Sequence, residues 1–249
     1  MTPERSDVRG VLFDNVTMDE AADFLRAEAA GGVRGGAVYT PNAEIVQKAI
    51  SDPALREILN GSLLSVPDGI GVVKAARILG TPLKEKVAGV ELGQRVLAFA
   101  AEDGLGVYLL GGKPGVAETA AERLTEQHPG LRICGVHDGY FEKTGEANRA
   151  VADAVNASGA EIVLVCFGAP AQELWIARNR DAMPDVRLFL GLGGSLDIYA
   201  GTVRRAPRIF IRLGLEWLYR LLREPKRIGR MMQLPRFYFG TWRVRVFGK

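Results

Sequence analysis

The sequence is poor in the residues that most often hold metals or close disulfides. Its 249 residues include only two cysteines and two histidines. Cys134 and Cys166 each sit in an apolar run that reads as a strand. Two such thiols predict buried, reduced side chains in a reducing compartment, not a disulfide or a metal site. His128 stands before Pro129 in a turn and His137 ends an apolar run, so neither has the spacing of a metal ligand. No Asp-x-Asp occurs anywhere in the chain. No apolar stretch reaches the ~18–20 residues that span a bilayer. The opening MTPERSDVRG has no hydrophobic signal region. A cytoplasmic protein is the expectation. There is also no internal repeat and no low-complexity linker.

Acidic residues are scarce in one place only. Residues 201–249 hold 13 Lys or Arg against 2 Asp or Glu, a net +11. Residues 1–200 hold 19 against 27, a net −8. Such a split describes an ordinary body with a tail for an anionic partner: nucleic acid, a membrane surface or a phosphorylated substrate. The expected organisation is therefore a core over residues 1–200 and a basic amphipathic appendage over 201–249.

What is abundant is apolar residue, 47% of the chain, enough for a sizeable core. From about residue 35 to 200, short β-rich runs alternate with helical patterns. Strands are expected at 36–40, 62–66, 105–111, 131–138, 161–168 and 186–193. Alternation of this kind predicts an α/β fold, a Rossmann-like parallel sheet with helices on both faces. Ligands of such sheets bind beyond the carboxyl ends of the strands. The segments that matter most are then TPNAE, VPDGIG, LGGKPG, HDGYF, FGAPAQE and GLGGSLD.

Beyond residue 200 the pattern changes. RIFIRLGLEWLYRLLRE (208–224) reads as a helix with Arg208, Arg212, Glu216 and Arg220 on one stripe. Pro225 is expected to interrupt it, and Pro235 to end the next short segment. The last stretch, RFYFGTWRVRVFGK, mixes aromatics with cations and suits an element lying in a membrane interface.

Several rim residues can carry chemistry, each with a plain structural alternative. The LGGKPG turn, with Gly111 and Gly112, can offer backbone N–H groups to a phosphate at a helix N-terminus, or be a tight turn without a ligand. It is neither a P-loop nor a full GxGxxG fingerprint. Asp68 is placed to be a general base at the mouth of the sheet; its spacing also suits a helix cap or an Asp-Gly turn. Thr40 and Asn42 can hydrogen-bond a sugar or cap a helix. Gln172 and Glu173 open a helix, where an acidic residue suits the dipole. Without an Asp-x-Asp, a diphosphate leaving group would have to be stabilised by cationic side chains, and arginine binds phosphate oxygens in bidentate fashion.

The segments TPNAE, DGIGVV, LGGKPGVAE, DGYF, FGAPAQE, GLGGSLDIYAG, RAP and LEWLYRLLREPKRIGR occur in an order that resembles the WecG/TagA/CpsF glycosyltransferases, over residues 36 to 230. The resemblance implies transfer, with inversion, of a sugar from a UDP-sugar to a polyprenyl-diphosphate-linked sugar. The work would be done at the cytoplasmic membrane face, in surface polysaccharide or teichoic acid synthesis. It implies Asp68 as base, with Thr40, Asn42 and Gln172 contacting donor or acceptor. The diphosphate would fall to tail arginines, Arg212, Arg220, Arg223 and Arg227, the last three favoured. Gly111, Gly112, Gly168, Gly193, Gly194 and Asp197 are assigned to the nucleotide. No cofactor and no metal are expected, the UDP-sugar being a substrate. Anionic lipid is the expected surface, and the apolar tail can drive self-association into a homo-oligomer. One departure stands out: Ala171 occupies the place between Pro and Gln where the family usually has Lys.

The donor is open among UDP-N-acetylmannosamine, which is favoured, its uronic acid and UDP-glucose. Two rivals belong to other classes. A nucleic-acid-binding protein would use the basic, aromatic tail, but the body would then be expected to present a basic face too, and it is net acidic. A non-catalytic nucleotide-binding module would bind UDP without transferring sugar.

Overall fold

The computed structural model describes residues 3–207, 209–210, 216–223 and 228–248. Six strands form one sheet: β3 (Gly36–Tyr39), β4 (Leu64–Ser65), β5 (Gly106–Gly111), β6 (Arg132–His137), β7 (Ile162–Cys166) and β8 (Leu188–Gly191). Their spatial order is β4-β3-β8-β7-β5-β6 and every pairing is parallel. The expected α/β class and strand runs are what the chain adopts.

Strand side chains alternate between two apolar layers. In β7, Ile162, Leu164 and Cys166 face one layer, with Leu25, Val96, Leu124 and Leu196 from the helices. Val163 and Val165 face the other, with Val46, Leu55, Val155 and Ile176. Burial on both faces explains why these strands read as continuous apolar runs. Each fully buried aliphatic side chain contributes roughly 1.5–3 kcal/mol before the cost of ordering the chain. The first layer is built by α1 (Met18–Ala30), α5 (Gly89–Asp103), α6 (Val116–Gln127) and α9 (Ser195–Tyr199). The second is built by α2 (Ala43–Ser51), α3 (Pro53–Asn60), α4 (Ile70–Leu79), α7 (Gly145–Ser158) and α8 (Ala171–Asn179).

Four elements lie outside the alternation read from the sequence. Strands β1 (Arg5–Val8) and β2 (Val11–Asp14) form an antiparallel hairpin. Its two-residue turn places Arg9 and Gly10 at φ 59° and 88°, the type I′ pattern that matches strand twist. Helix α1 starts in a capping box of Thr17 and Glu20. Helix α3 starts at the Asp52 cap with Pro53 in its first turn.

Two expectations are corrected. Strand β6 is an edge strand whose residues are only partly covered, so Cys134 is half-buried, while Cys166 is buried; both thiols are free. Pro235 does not end a segment. It lies in the first turn of a 15-residue helix, Gln233–Phe247, where a missing N–H costs nothing.

The appendage contributes α10 (Glu216–Arg223), α11 (Ile228–Met231) and that last helix, α12. Helix α12 packs on α2 and α4, with Phe237 and Thr241 fully buried. The hairpin turn closes over it: Arg9 donates to the Phe237 carbonyl at 3.4 Å and to Gln47 Oε1 at 3.2 Å. Among the described residues no helix is long and apolar enough to cross a membrane.

Candidate functional site

Because all six strands run the same way, the loops after them open on one rim. Backbone bonds knit these loops together in pairs. The Asp68 N–H donates to the Pro41 carbonyl at 3.2 Å, Gly139 to Gly112 at 2.8 Å, and Leu192 to Val165 at 3.0 Å. A rim of this kind is where parallel α/β sheets bind ligands.

On one side stand Thr40, Asn42 and Asp68. Thr40 is buried, and its hydroxyl donates to the Gly191 carbonyl at 3.1 Å, tying β3 to β8. Its two lone pairs remain able to accept. Asn42 caps α2, its Oδ1 accepting from the Ile45 N–H at 3.1 Å. Asp68 is half-buried and follows Pro67 at the end of β4. The cap position of α4 falls on Gly69, not on Asp68. Gly69 has φ 115° and ψ 144°, a conformation that side-chain-bearing residues rarely adopt, and it turns the chain from Asp68 into the helix.

On the other side the β5–α6 turn approaches β7 very closely. A Cβ at Gly111 would lie 2.5 Å from the Cys166 carbonyl oxygen, so only glycine fits. The Gly112 N–H donates to that same carbonyl at 3.3 Å. This amide is therefore engaged inside the fold, and any anion at the turn must use its neighbours.

Between the two sides lies Gln172, only 2% exposed. Its Oε1 accepts from the Gly168 N–H at 3.2 Å and from the Gly193 N–H at 2.9 Å. Its Nε2 donates to Glu173 Oε1 at 2.9 Å. Gln172 thus braces the loops after β7 and β8. Glu173 is 1% exposed and its second oxygen, Oε2, has no hydrogen-bond partner. Burial raises the Glu173 carboxyl above the usual glutamate range, and the Gln172 bond only partly offsets this. Gly194 is the residue before α9. Asp197 in α9 accepts, through its carbonyl, from Val203 N–H at 3.1 Å and Thr202 Oγ1 at 2.9 Å. It thereby shapes the turn that leads into the appendage. Burial pushes the Cys166 thiol up to about 12, so it is an inert core group.

The arginines are less completely placed. Arg212 and Arg227 lie outside the described residues, as do Arg208 and Pro225. Arg220 and Arg223 belong to α10, but their side chains fall outside the description too. The described residues of the appendage expose apolar side chains: Trp217, Leu222, Ile228, Met232, Phe239 and Trp242. Arg236, Arg243 and Arg245 are exposed on α12 beside them.

Sequence reasoning missed two residues. Lys86 pairs with Glu216 at 2.9 Å and so joins the body to α10. No motif flags it, because its partner is 130 residues away. Lys143, after β6, lies 3.5 Å above the Phe141 ring and donates to the Gly139 and Phe141 carbonyls. Its KTG context is that of any polar turn. Two concavities of about 490 and 500 Å³ lie elsewhere, one by Arg26 and Arg187, one by Gln94 and His128. Neither includes a rim residue named above, and the chemistry of the rim outweighs their size. Among the described residues no group of three or more His, Cys, Asp or Glu side chains gathers as a metal cluster would.

The model of the glycosyl transferase WecG/TagA/CpsF family matches residues 6–249, nearly the whole chain.

Proposed function

Because the chain belongs to the WecG/TagA/CpsF glycosyltransferase family, we propose that this rim moves a sugar from a UDP-sugar to a polyprenyl-diphosphate-linked sugar, with inversion and without a metal ion. UDP-N-acetylmannosamine is the favoured donor. Membership itself means that the chain takes a sugar donor and an acceptor. The observation that carries the finer reading is the position of Asp68, half-buried at the carboxyl end of β4 and backed by the Pro41 carbonyl.

In this reading the Asp68 carboxylate takes the proton from an acceptor hydroxyl as that oxygen attacks the anomeric carbon. The bond from that carbon to UDP breaks on the opposite face, and UDP leaves as an anion. Positioned bases contribute about 10²–10⁴-fold. Arg220, Arg223 and Arg227 carry the charge that meets the leaving diphosphate, a service pre-placed cations perform well in a water-poor site. The nucleotide lies along Gly111, Gly168, Gly193, Gly194 and Asp197. Gln172 supports it through the loops it braces.

The exposed aromatics and arginines of the appendage suit an anionic bilayer face, which is where a polyprenyl acceptor resides. Each basic residue near such a surface contributes roughly 1 kcal/mol, so several together hold the protein reversibly.

The test is UDP release from a panel of UDP-sugars, with a short-chain lipid-diphosphate-sugar acceptor and EDTA, for wild type and Asp68→Asn. Acceptor-dependent release from one donor, reduced about 10²–10⁴-fold in the variant, is expected. Near-normal turnover of Asp68→Asn would sink the base assignment. Release abolished by EDTA would sink the metal-free mechanism.

A further inference from the structure

Helix α10 is held to the body through a short segment. Lys86 Nζ meets Glu216 Oε2 at 2.9 Å, with the two side chains only 17% and 26% exposed. Five residues further on, Glu91 pairs with Arg205 at the root of the appendage. Residues 86–91 therefore seat the tail at two points, Arg205 and Glu216. The same segment also backs the rim, since the Val87 N–H donates to the Pro67 carbonyl at 3.0 Å, one residue before Asp68. A single short stretch of chain thus touches the Asp68 loop through its backbone and the basic helix through the Lys86 side chain.

Charge explains why this contact is specific. Glu216 and Glu224 are the only acidic residues among the last 49 of the chain. A lysine on the body that pairs with one of them can seat a helix that the remaining charge of the tail would not orient. Arg220 and Arg223 follow Glu216 at the i+4 and i+7 spacing of one helical face. Partial burial also shields the pair from the screening that makes exposed pairs nearly worthless.

We infer that Lys86 and Glu216 form a latch that positions α10 against the Asp68 loop, Lys86 being a positioning residue and not a group that touches substrate. The inference rests on the glycosyltransferase reading for its effect on turnover, but not for the seating of the helix. With the latch closed, the arginine-bearing helix is tethered through residues 86–87 to the loop that carries the proposed base. With it open, the helix loses its register on the body while the sheet and its rim loops stay intact.

The full-length chain is compared as wild type, Lys86→Glu, Glu216→Lys and the double reversal. Hydrogen exchange over residues 216–223 reads the seating of the helix without any substrate. Each single reversal is expected to speed exchange there about tenfold, and the double reversal to return it to near the wild-type rate. Acceptor-dependent UDP release is read in parallel. Single reversals are expected to lower kcat/KM for the lipid acceptor about tenfold, and the double reversal to restore it. Unaltered exchange in the single variants, or a double variant no better than the singles, would overturn the latch. If exchange follows the charges but wild type releases no UDP from any donor, the latch stands and the glycosyltransferase reading falls.

Discussion

Asp14 reaches from the N-terminal hairpin to the open edge of the main sheet, where its Oδ2 accepts the Ser65 N–H at 2.7 Å. An edge strand leaves a row of unpaired amides that another chain could pair with, and one buried carboxylate closes this part of it. Its other oxygen is held by Arg5 Nε at 3.0 Å. Burial is the largest influence on the Asp14 carboxyl and raises it above the usual range, the Ser65 and Arg5 bonds pulling it back.

Asp14→Ala removes both contacts at once: the buried Ser65 amide loses its acceptor, and Arg5 loses its counter-ion while keeping its bonds to the Asn60 and Ser62 carbonyls. A loss of about 3 kcal/mol is expected, read by urea denaturation.

Glu173 predicts how stability responds to pH. Its carboxyl, ordinarily near 4.5, is raised in the folded state by burial. The folded state therefore binds the proton more tightly than the unfolded one. The stability that this proton supplies is complete below the unfolded value and is lost as pH rises through the folded value. Glu173→Gln keeps the acceptor for Gln172 and removes the titration. The difference in Tm between variant and wild type should move in favour of the variant from pH 5 to pH 8. A difference independent of pH would show that Glu173 does not titrate in this window.

Gln172→Ala tests the brace. The amides of Gly168 and Gly193 lose their shared acceptor, at about 2 kcal/mol in stability. Under the proposed function the donor KM rises as the two loops loosen. Asp68→Asn, by contrast, is expected to lower kcat with Tm little changed. Steady-state kinetics on both variants, with a melting curve for each, separates the two roles.

Phe237→Ala tests whether the last helix is part of the core. The ring is fully buried among residues of the second layer. A cost of about 3–5 kcal/mol is expected by thermal unfolding. A change below about 0.5 kcal/mol, the range of ordinary surface substitutions, would mean that α12 is not seated on the body in solution.

Much of this was legible in the chain. The parallel sheet was readable because strands buried on both faces are continuous apolar runs bounded by turn residues, as in LGVYLLG and EIVLVCFG. The rim followed from the carboxyl-end rule once those strands were placed. The hairpin was not legible: Arg9 occupies a left-handed turn position that glycine or asparagine usually marks. The bracing bond of Gln172 was not legible either: nothing in FGAPAQE says that the amide of Gly193, 21 residues on, would donate to its oxygen. Pro235 read as a stop because proline interrupts helix interiors; only the position of the helix start makes it harmless. The Lys86–Glu216 pair joins two distant segments, and no local pattern encodes such a meeting.

The register of β3 against β8 has a consequence for how the molecule comes into being. Gly36 pairs with Leu188 and Tyr39 with Gly191, so the first strand of the main sheet in chain order pairs with the last. Closing a loop of that length is slow, because its entropy is lost before the contacts that repay it exist. Thr40, which bonds across this seam to Gly191, is fixed only when β8 slides into the gap between β3 and β7. The rim on either side of this seam is therefore complete only when residues 151 positions apart in the chain have met.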